Sequence, residues 1–235
     1  MSKTISIAID GPSGAGKSTI AKAAAEHFGF IYVDTGALYR TLGLGAVRNN
    51  IDISDADAVK AFLPSVHVEM KHDEKEGQRM YLNGDDVTGE IRFPEISQAA
   101  SKISAIPCVR EHLLQMQRDM AEKYNVIMDG RDIGTVVLPD AEIKIFLTAS
   151  LEDRAKRRYE ELVVKGMDVT YPKIYEDMKK RDAQDSNRAV APLKPAEDAV
   201  LVFRFCAQEY LVAKFQSVDG AVFIFYIVNP SRIAA

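Results

Sequence analysis

Short apolar runs alternate with longer segments of helical periodicity along most of this chain. The apolar runs predict strands at residues 5–10, 30–34, 125–129, 142–147 and 199–202. The segments between them predict helices at residues 18–28, 37–49, 94–105, 109–124, 151–165 and 172–184. Strands that alternate with helices are typical of a parallel sheet with crossover helices. We therefore predict an α/β fold, a three-layer α/β/α arrangement around a five-stranded parallel sheet.

One segment breaks this alternation. Residues 66–70 and 79–82 have the composition of strands, and a charged connection at 72–77 separates them. The Asn83-Gly84 pair that follows is a strong signal for a tight turn. We predict a small antiparallel insertion on the main sheet, with these strands between about residues 51 and 91.

Composition favours a globular protein with one sizeable core. The chain has 235 residues, of which 47% are hydrophobic and 27% charged. Its net charge of −4 argues against a general nucleic-acid binder, which would need a basic surface. Cys108 and Cys206 show no metal or redox spacing, and no apolar run reaches the roughly 18 residues of a membrane span. We expect a cytoplasmic protein with neither a nucleic-acid nor a membrane partner.

The segment GPSGAGKS at residues 11–18 has the spacing of a phosphate-binding loop, G-x-x-x-x-G-K-[ST]. It lies between a predicted strand and a predicted helix, where backbone N–H groups and the positive end of the helix meet a phosphate. Lys17 is predicted to reach the β- and γ-phosphates, and the Ser18 hydroxyl to ligate Mg²⁺. A flexible glycine turn is the less favoured alternative. The segment predicts binding of a nucleoside triphosphate.

A second cluster, residues 34–40, follows the second predicted strand. Ligands of open α/β sheets collect at the carboxyl ends of strands, so this is a site position. Thr35 is placed to cap the next helix, and Arg40 lies one turn further on. A helix start with an arginine suits a second phosphate, although an ordinary capped helix with a solvated arginine explains the pattern equally well.

The third cluster begins where the predicted strand 125–129 ends in Asp129. An aspartate at the end of an apolar strand is where nucleotide-binding proteins of this type hold the water shell of Mg²⁺. Arg131 and Asp132 follow, one a partner for phosphate and the other an acceptor for an amino or hydroxyl group. A simple turn rich in Gly and Asp is the less favoured alternative.

Two further clusters are basic. Arg154, Arg157 and Arg158 share one helical face, which suits a lid that closes on the γ-phosphate; a solvated face paired with neighbouring acids is the alternative. Arg181, Asp185 and Arg188 follow one another at spacings of four and three, which places them on one helical face. Two arginines beside an acid suit a phosphorylated sugar, with the acid accepting from the ribose hydroxyls. An ordinary surface helix is the alternative.

No histidine lies in any of these clusters, so the sequence offers no obvious general base. That pattern agrees with phosphoryl transfer to a phosphate acceptor, because the nucleophile is then already ionised. A regulatory GTPase would need an Asn-Lys-x-Asp motif, which the sequence lacks. An ATPase motor would favour Glu after Asp129, where Gly130 stands.

Together these segments resemble the bacterial cytidylate kinases, a family of nucleoside monophosphate kinases. The resemblance rests on residues 9–17, 34–40, 129–137 and 181–193, and it extends in order from residue 4 to about 202. It implies ATP-dependent phosphorylation of CMP and dCMP by direct in-line transfer, with Mg²⁺ as cofactor, in a monomer. A P-loop kinase for another small acceptor and a catalytically impaired nucleotide-binding module remain as alternatives.

The resemblance also implies roles for individual residues, of which Ser101 and Arg110 enter through it alone. It implies an ATP site of Gly11, Pro12, Ser13, Gly14, Ala15, Gly16, Lys17, Ser18 and Thr19. It implies a CMP phosphate held by Thr35, Arg40, Arg131 and Arg188, a cytosine read by Ser101, Arg110 and Asp132, and a ribose held by Arg181 and Asp185. The implied catalytic residues are Lys17, Arg131, Arg154, Arg158 and Arg188, and the implied metal ligands are Ser18 and, through water, Asp129.

The same resemblance implies a single cytidylate kinase-like domain over residues 1–235. Its core would comprise 1–36, 92–150 and 166–202, with a monophosphate-binding insertion at about 37–91 and a short helical lid at about 151–165. The tail at 203–235 departs from the family pattern of a polar turn near the adenine followed by an amphipathic helix. It carries instead a short β-like run at 221–228.

Overall fold

The computed structural model describes residues 4–73 and 75–203, together with the backbone of 212–214 and 224–226. The helices are α1 (Lys17–Phe28), α2 (Thr35–Arg48), α3 (Ala56–Phe62), α4 (Pro94–Ile103), α5 (Pro107–Lys123), α6 (Leu151–Val164) and α7 (Tyr171–Ser186). The strands are β1 (Ser6–Asp10), β2 (Ile31–Asp34), β3 (Val68–Asp73), β4 (Gly77–Leu82), β5 (Asp85–Asp86), β6 (Val126–Gly130), β7 (Ile143–Thr148), β8 (Val200–Phe203), β9 (Val212–Lys214) and β10 (Ile224–Tyr226).

The main sheet has five parallel strands in the order β2-β6-β1-β7-β8. Side chains alternate across its central strand β1. Ile7 and Ile9 pack with alanines of α1 on one face, whereas Ala8 packs with Ala121 of α5 on the other. Helices therefore cover both faces, and the predicted α/β fold is confirmed. The carboxyl ends of β1, β2, β6 and β7 all meet at one edge of this sheet.

The antiparallel insertion is a three-stranded sheet in the order β3-β4-β5. Asn83 and Gly84 have φ of 51° and 93°, the left-handed pair that a tight hairpin turn needs. The inner face of β4 presents Met80 and Leu82, which pack in one core cluster with Leu38 of α2. The predicted antiparallel pair is confirmed as β3 and β4, although these strands extend to Asp73 and from Gly77, so the connection is shorter than the predicted 72–77. Asn83-Gly84 joins β4 to β5. Neither β5 nor α3 was predicted, because each is too short for its periodicity to show.

Part of the tail forms a small antiparallel pair of strands, β9 and β10. The β-like run predicted at 221–228 contains β10, and its remaining residues lie outside the described part of the chain. Residues 204–211, 215–223 and 227–235 of the predicted tail are likewise outside it. Within the described residues, no helix combines the length and apolar character needed to cross a membrane.

Candidate active site

The loop between β1 and α1 follows a path that only glycine permits at its first position. Gly11 has φ of +146°, and a Cβ there would lie 1.9 Å from the carbonyl oxygen of Leu147 on the neighbouring strand β7. Gly16, the residue before α1, is also left-handed, with φ of 96°. The loop is therefore held close against the sheet, and its backbone turns into the N-terminus of α1, where an anion is favoured.

Lys17, the first residue of α1, is buried, and its side chain turns back into this loop. Its Nζ donates to the carbonyl oxygens of Gly11 at 2.8 Å and Pro12 at 2.9 Å. Burial, followed by the positive charge of Arg131, lowers the pKa of Lys17 to about 7. An anionic group bound at the loop would favour the charged ammonium and so offset both effects on the pKa. The loop is therefore suited to a polyphosphate.

Ser18 and Asp129 supply two adjacent oxygens beside the loop. The Ser18 hydroxyl donates to Asp129 Oδ2 at 2.5 Å, and the Tyr32 hydroxyl donates to Asp129 Oδ1 at 3.3 Å. Burial, followed by the charge of Asp34, raises the pKa of Asp129. A divalent cation would favour the ionised carboxylate at this position.

The described residues contain no group of three or more His, Cys, Asp or Glu side chains that could hold a metal ion alone. The Ser18–Asp129 pair instead suits Mg²⁺, which takes few protein oxygens and completes its shell with water and substrate phosphates. The residues present therefore fit this metal when it arrives with a nucleotide.

Asp34, at the end of β2, holds the start of α2 and two arginines. Its carboxylate accepts from the Ala37 N–H at 3.1 Å, from Arg40 at 2.6 Å and from Arg92 at 3.1 Å. Burial opposes ionisation, but the charges of Arg40 and Arg92 hold the pKa of Asp34 below its ordinary value. Arg92 was not identified from the sequence; only its contact with Asp34, distant in the chain, brings it here.

The predicted cap of α2 was wrong by one residue. Asp34 is the N-cap, because its side chain reaches the free N–H of the first turn, while Thr35 is already helical. The buried Thr35 hydroxyl instead donates to the carbonyl oxygen of Asp129 at 2.7 Å. It thereby joins α2 to the end of β6 at the site edge of the sheet.

Arginines converge on the buried Asp185, which is 1% exposed. Arg131 Nε donates to one carboxylate oxygen at 2.9 Å, and Arg188 pairs with the other. Arg188 lies beyond the end of α7, so its ion pair, and not helical spacing alone, explains its position. Burial opposes ionisation, but the charges of Arg131 and Arg188 hold the pKa of Asp185 below its ordinary value.

Arg131, Arg181 and Arg188 surround the Asp185 carboxylate, and together with Arg40, whose charge acts on Arg181, they form an arginine cluster. The positive charge of the cluster exceeds the single negative charge of Asp185. Burial, followed by the charge of Arg131, lowers the pKa of Arg181 to about 10. The buried Nε atoms of Arg40, Arg181 and Arg188 have no hydrogen-bond partner among the described residues. Buried donors of this kind are normally satisfied, so their presence points to an anionic ligand such as a phosphate.

Arg110 of α5 and Asp132, which follows β6, form a buried ion pair, and Arg110 also interacts electrostatically with Asp185 of the arginine cluster. Arg110 also donates to the carbonyl oxygen of Ser104 at 3.1 Å and lies 5.4 Å from the centre of the Tyr39 ring. A guanidinium and a carboxylate fixed side by side offer donors and acceptors to the edge of a base. Ser101, on α4, accepts at its carbonyl oxygen from Gln184 of α7 at 3.1 Å.

Asp10 connects the phosphate-binding loop to the segment after β6. Its two carboxylate oxygens accept from the backbone N–H groups of Ile133 and Gly134, each at 2.8 Å. Burial raises the pKa of Asp10 to about 6, and the two N–H groups offset part of this shift. Sequence reasoning did not select Asp10, because its partners lie more than a hundred residues away in the chain.

The predicted lid helix α6 reaches the loop with two of its three arginines. Arg154 is buried, donates to the carbonyl oxygen of Ser13 at 3.0 Å and pairs with Asp182 at 2.6 Å. Arg157 donates to the carbonyl oxygen of Gly14 at 2.8 Å. Arg158 is directed elsewhere and pairs with the exposed Glu161 at 3.3 Å. The three guanidiniums therefore do not converge in this structure.

Known proteins with similar sequences identify the family of this chain. A family model described as cytidylate kinase matches residues 7–209. A cytidylate kinase of Caldanaerobacter subterraneus subsp. tengcongensis is 54% identical over 85% of this chain and 87% of its own length. Those of Bacillus subtilis (50% identical, 85% and 89% covered) and Carboxydothermus hydrogenoformans (48% identical, 91% and 96% covered) are similar. With the loop, the arginine cluster and the Arg110–Asp132 pair at one edge of the sheet, the chain belongs to the cytidylate kinase family.

Proposed function

We propose that this chain transfers the γ-phosphate of ATP to CMP and dCMP, forming ADP with CDP or dCDP. The observation that carries the proposal is the presence of two anion-binding groups at one sheet edge. The phosphate-binding loop follows β1, and the arginine cluster extends from the end of β6, its neighbour in the sheet. Membership of the cytidylate kinase family supports cytidylate as the acceptor.

The donor half of the proposed site is the loop from Gly11 to Thr19. Its N–H groups and the Lys17 ammonium would bind the ATP phosphates, in place of the loop carbonyls that Lys17 contacts here. Ser18 and, through water, Asp129 would hold Mg²⁺. The bound metal would neutralise charge on the β- and γ-phosphates.

The acceptor half of the proposed site is the arginine cluster with the Arg110–Asp132 pair. The unpartnered donors of Arg40 and Arg188 support their role in holding the CMP phosphate, together with Thr35 and Arg131. Arg181 and Asp185 would hold the ribose. The cytosine would be read by Ser101, Arg110 and Asp132.

The transfer needs positioning and charge neutralisation more than proton transfer. An oxygen of the CMP phosphate forms a bond to the γ-phosphorus as the bond to the bridging oxygen of ADP breaks in line. A phosphate monoester loses its second proton at about pH 6, so no general base is required. Lys17, Arg131 and Arg188 are the catalytic cations that this geometry favours around the transferred group.

We also propose that α6 acts as the lid and brings Arg154 and Arg158 to the γ-phosphate. This requires Arg158 to leave Glu161, to which it is paired at the exposed surface. The division into core, insertion and lid, the monomeric state and the cytoplasmic location stay predictions.

A substrate comparison tests the proposal. Purified protein with ATP and Mg²⁺ is expected to turn over CMP and dCMP with a much higher kcat/KM than UMP or AMP. Absence of turnover with every monophosphate would contradict kinase activity, and a preference for AMP would contradict the assigned acceptor. Light scattering of the same preparation tests the monomer.

A further inference from the structure

The amide side chain of Gln78 joins the insertion to the main sheet at the acceptor site. The Asp34 N–H donates to Gln78 Oε1 at 2.7 Å, and Gln78 Nε2 donates to the Asp34 carbonyl oxygen at 3.1 Å. Gln78 lies on β4 of the insertion, and Asp34 is the last residue of β2. One side chain therefore satisfies both backbone groups of a single strand residue.

The Gln78 side chain makes the two hydrogen bonds that a further strand would make at this edge of the sheet. Among the described strands, β2 is an edge strand whose only neighbour is β6. In a parallel sheet the N–H and C=O of one residue point to the same side, so Asp34 presents both groups at the open edge. A carboxamide offers one acceptor and one donor in a plane, as the peptide group of a neighbouring strand would. Gln78 thus closes the edge of the sheet at Asp34.

The contact is made at the residue that orients the acceptor-phosphate arginines. The Asp34 carboxylate caps α2 and accepts from both Arg40 and Arg92. Arg40 then has a buried Nε with no partner among the described residues. The chain of contacts runs from Gln78 to the Asp34 backbone, from the Asp34 side chain to Arg40, and ends at a free donor.

We propose that Gln78 is a positioning residue for the acceptor phosphate, acting through Asp34 on Arg40. This inference rests on the proposed function, because it assigns the free donor of Arg40 to the phosphate of CMP. It explains how a hairpin far along the chain from Arg40 sets the position of that guanidinium. Among the described residues, the hydrogen bonds that Gln78 makes to the main sheet are those to Asp34, so its influence is directed at the acceptor phosphate.

The variant Gln78→Met tests this role, since it keeps side-chain length and removes both hydrogen bonds to Asp34. We expect the KM for CMP to rise about tenfold, as a small misplacement of a binding group suffices for such a loss. The KM for ATP and the kcat at saturating CMP should stay within about twofold. The Asp34 amide proton should also exchange faster with solvent than in the wild type.

Arg79→Met is the matched control on the same strand. Arg79 pairs with Glu76 and Asp86 within the insertion, away from Asp34. This variant should leave the KM for CMP and the exchange of the Asp34 amide unchanged. If Gln78→Met does not fold, Gln78→Glu takes its place, because it keeps the acceptor for Asp34 N–H but turns a carboxylate oxygen toward the Asp34 carbonyl.

These experiments distinguish the proposed kinase function from the positioning role of Gln78. Wild-type protein that does not use CMP overturns the proposed function and this inference together. An active wild type with an unchanged KM for CMP in the Gln78 variant overturns the inference alone. An equal rise in the KM values for CMP and ATP also overturns it, since that result indicates a general loss of structure.

Discussion

The Ser18 hydroxyl and the Asp129 carboxylate are joined by a hydrogen bond of 2.5 Å between Oγ and Oδ2. The contact ties the first turn of α1 to the end of β6, so the two proposed metal ligands are already adjacent. With Mg²⁺ bound, the Ser18 oxygen would contact the metal and the Asp129 carboxylate would accept from a water of the metal, so this direct hydrogen bond would open. The protein therefore holds a preformed oxygen pair in place of a complete metal cage.

Replacing Asp129 by Asn should weaken the response to Mg²⁺. The substitution keeps the shape of the side chain but removes the negative charge that would stabilise the water shell of Mg²⁺. We expect kcat to fall roughly 10²-fold and the Mg²⁺ concentration for half-maximal rate to rise. Asp119→Asn, at a half-buried carboxylate whose hydrogen bond from Gln115 lies at the surface, is the control and should behave as wild type. An unchanged Mg²⁺ titration for Asp129→Asn would contradict the assigned role.

Replacing Asp132 by Asn should impair recognition of the base more than binding of ATP. The carboxylate pairs with Arg110, and an amide in its place cannot hold that guanidinium by charge. We expect the kcat/KM for CMP to fall about 10- to 100-fold, with a smaller preference for CMP over UMP and an unchanged KM for ATP. Steady-state kinetics with the two monophosphates measures this ratio. Equal losses for CMP and ATP would argue against base reading.

Asp185→Asn should destabilise the fold as well as the site. The carboxylate is almost completely buried between Arg131 and Arg188, and its loss leaves buried guanidiniums without a counter-charge. The free energy of unfolding in urea should drop by about 3–5 kcal/mol. Asp177→Asn, at an exposed position of the same helix, should change it by less than about 0.5 kcal/mol. Similar stabilities for the two variants would mean that Asp185 is not an essential counter-charge.

Asp10 should make stability depend on pH. Its pKa is raised from 3.8 to about 6 in the folded protein, so the folded state binds the proton more tightly than the unfolded chain. The resulting stabilisation is complete below pH 3.8 and is lost as pH rises through about 6. The loss amounts to about 3 kcal/mol, at roughly 1.4 kcal/mol per pKa unit.

Urea unfolding of the wild type and of the Asp10→Asn variant between about pH 4 and pH 7 measures this contribution. The wild type should lose stability relative to the variant across that interval, because the asparagine side chain of the variant cannot titrate. The comparison cancels other titrating groups that the two proteins share. Parallel stability curves would show that the Asp10 carboxyl has an ordinary pKa.

Elements of regular periodicity could be predicted from the sequence because their signals are local. The five apolar runs became the five strands of the sheet, and Pro94 and Pro107 stand in the first turns of α4 and α5, where proline is tolerated. Asn83-Gly84 likewise gave the hairpin turn from two residues alone. Short elements such as α3 and β5 lack enough residues for a period to be visible.

Contacts between distant residues could not be predicted in this way. Asp10 with Ile133, Gln78 with Asp34, and Arg92 with Asp34 join segments that only the folded sheet brings together. An aspartate that ends a strand offers the same local pattern whether it caps a helix, pairs with an arginine or does both. Asp34 does both, and for that reason Thr35 was assigned its capping role wrongly.

Transfer of the γ-phosphate from ATP to CMP can be observed at the phosphorus atoms themselves. ³¹P NMR of a mixture of ATP, Mg²⁺, CMP and the purified protein identifies every phosphorylated product in one sample. We expect ADP and CDP to appear in equal amounts while inorganic phosphate stays at its background level. Equal release of ADP and inorganic phosphate with CMP unchanged, or no consumption of ATP at all, would contradict this expectation.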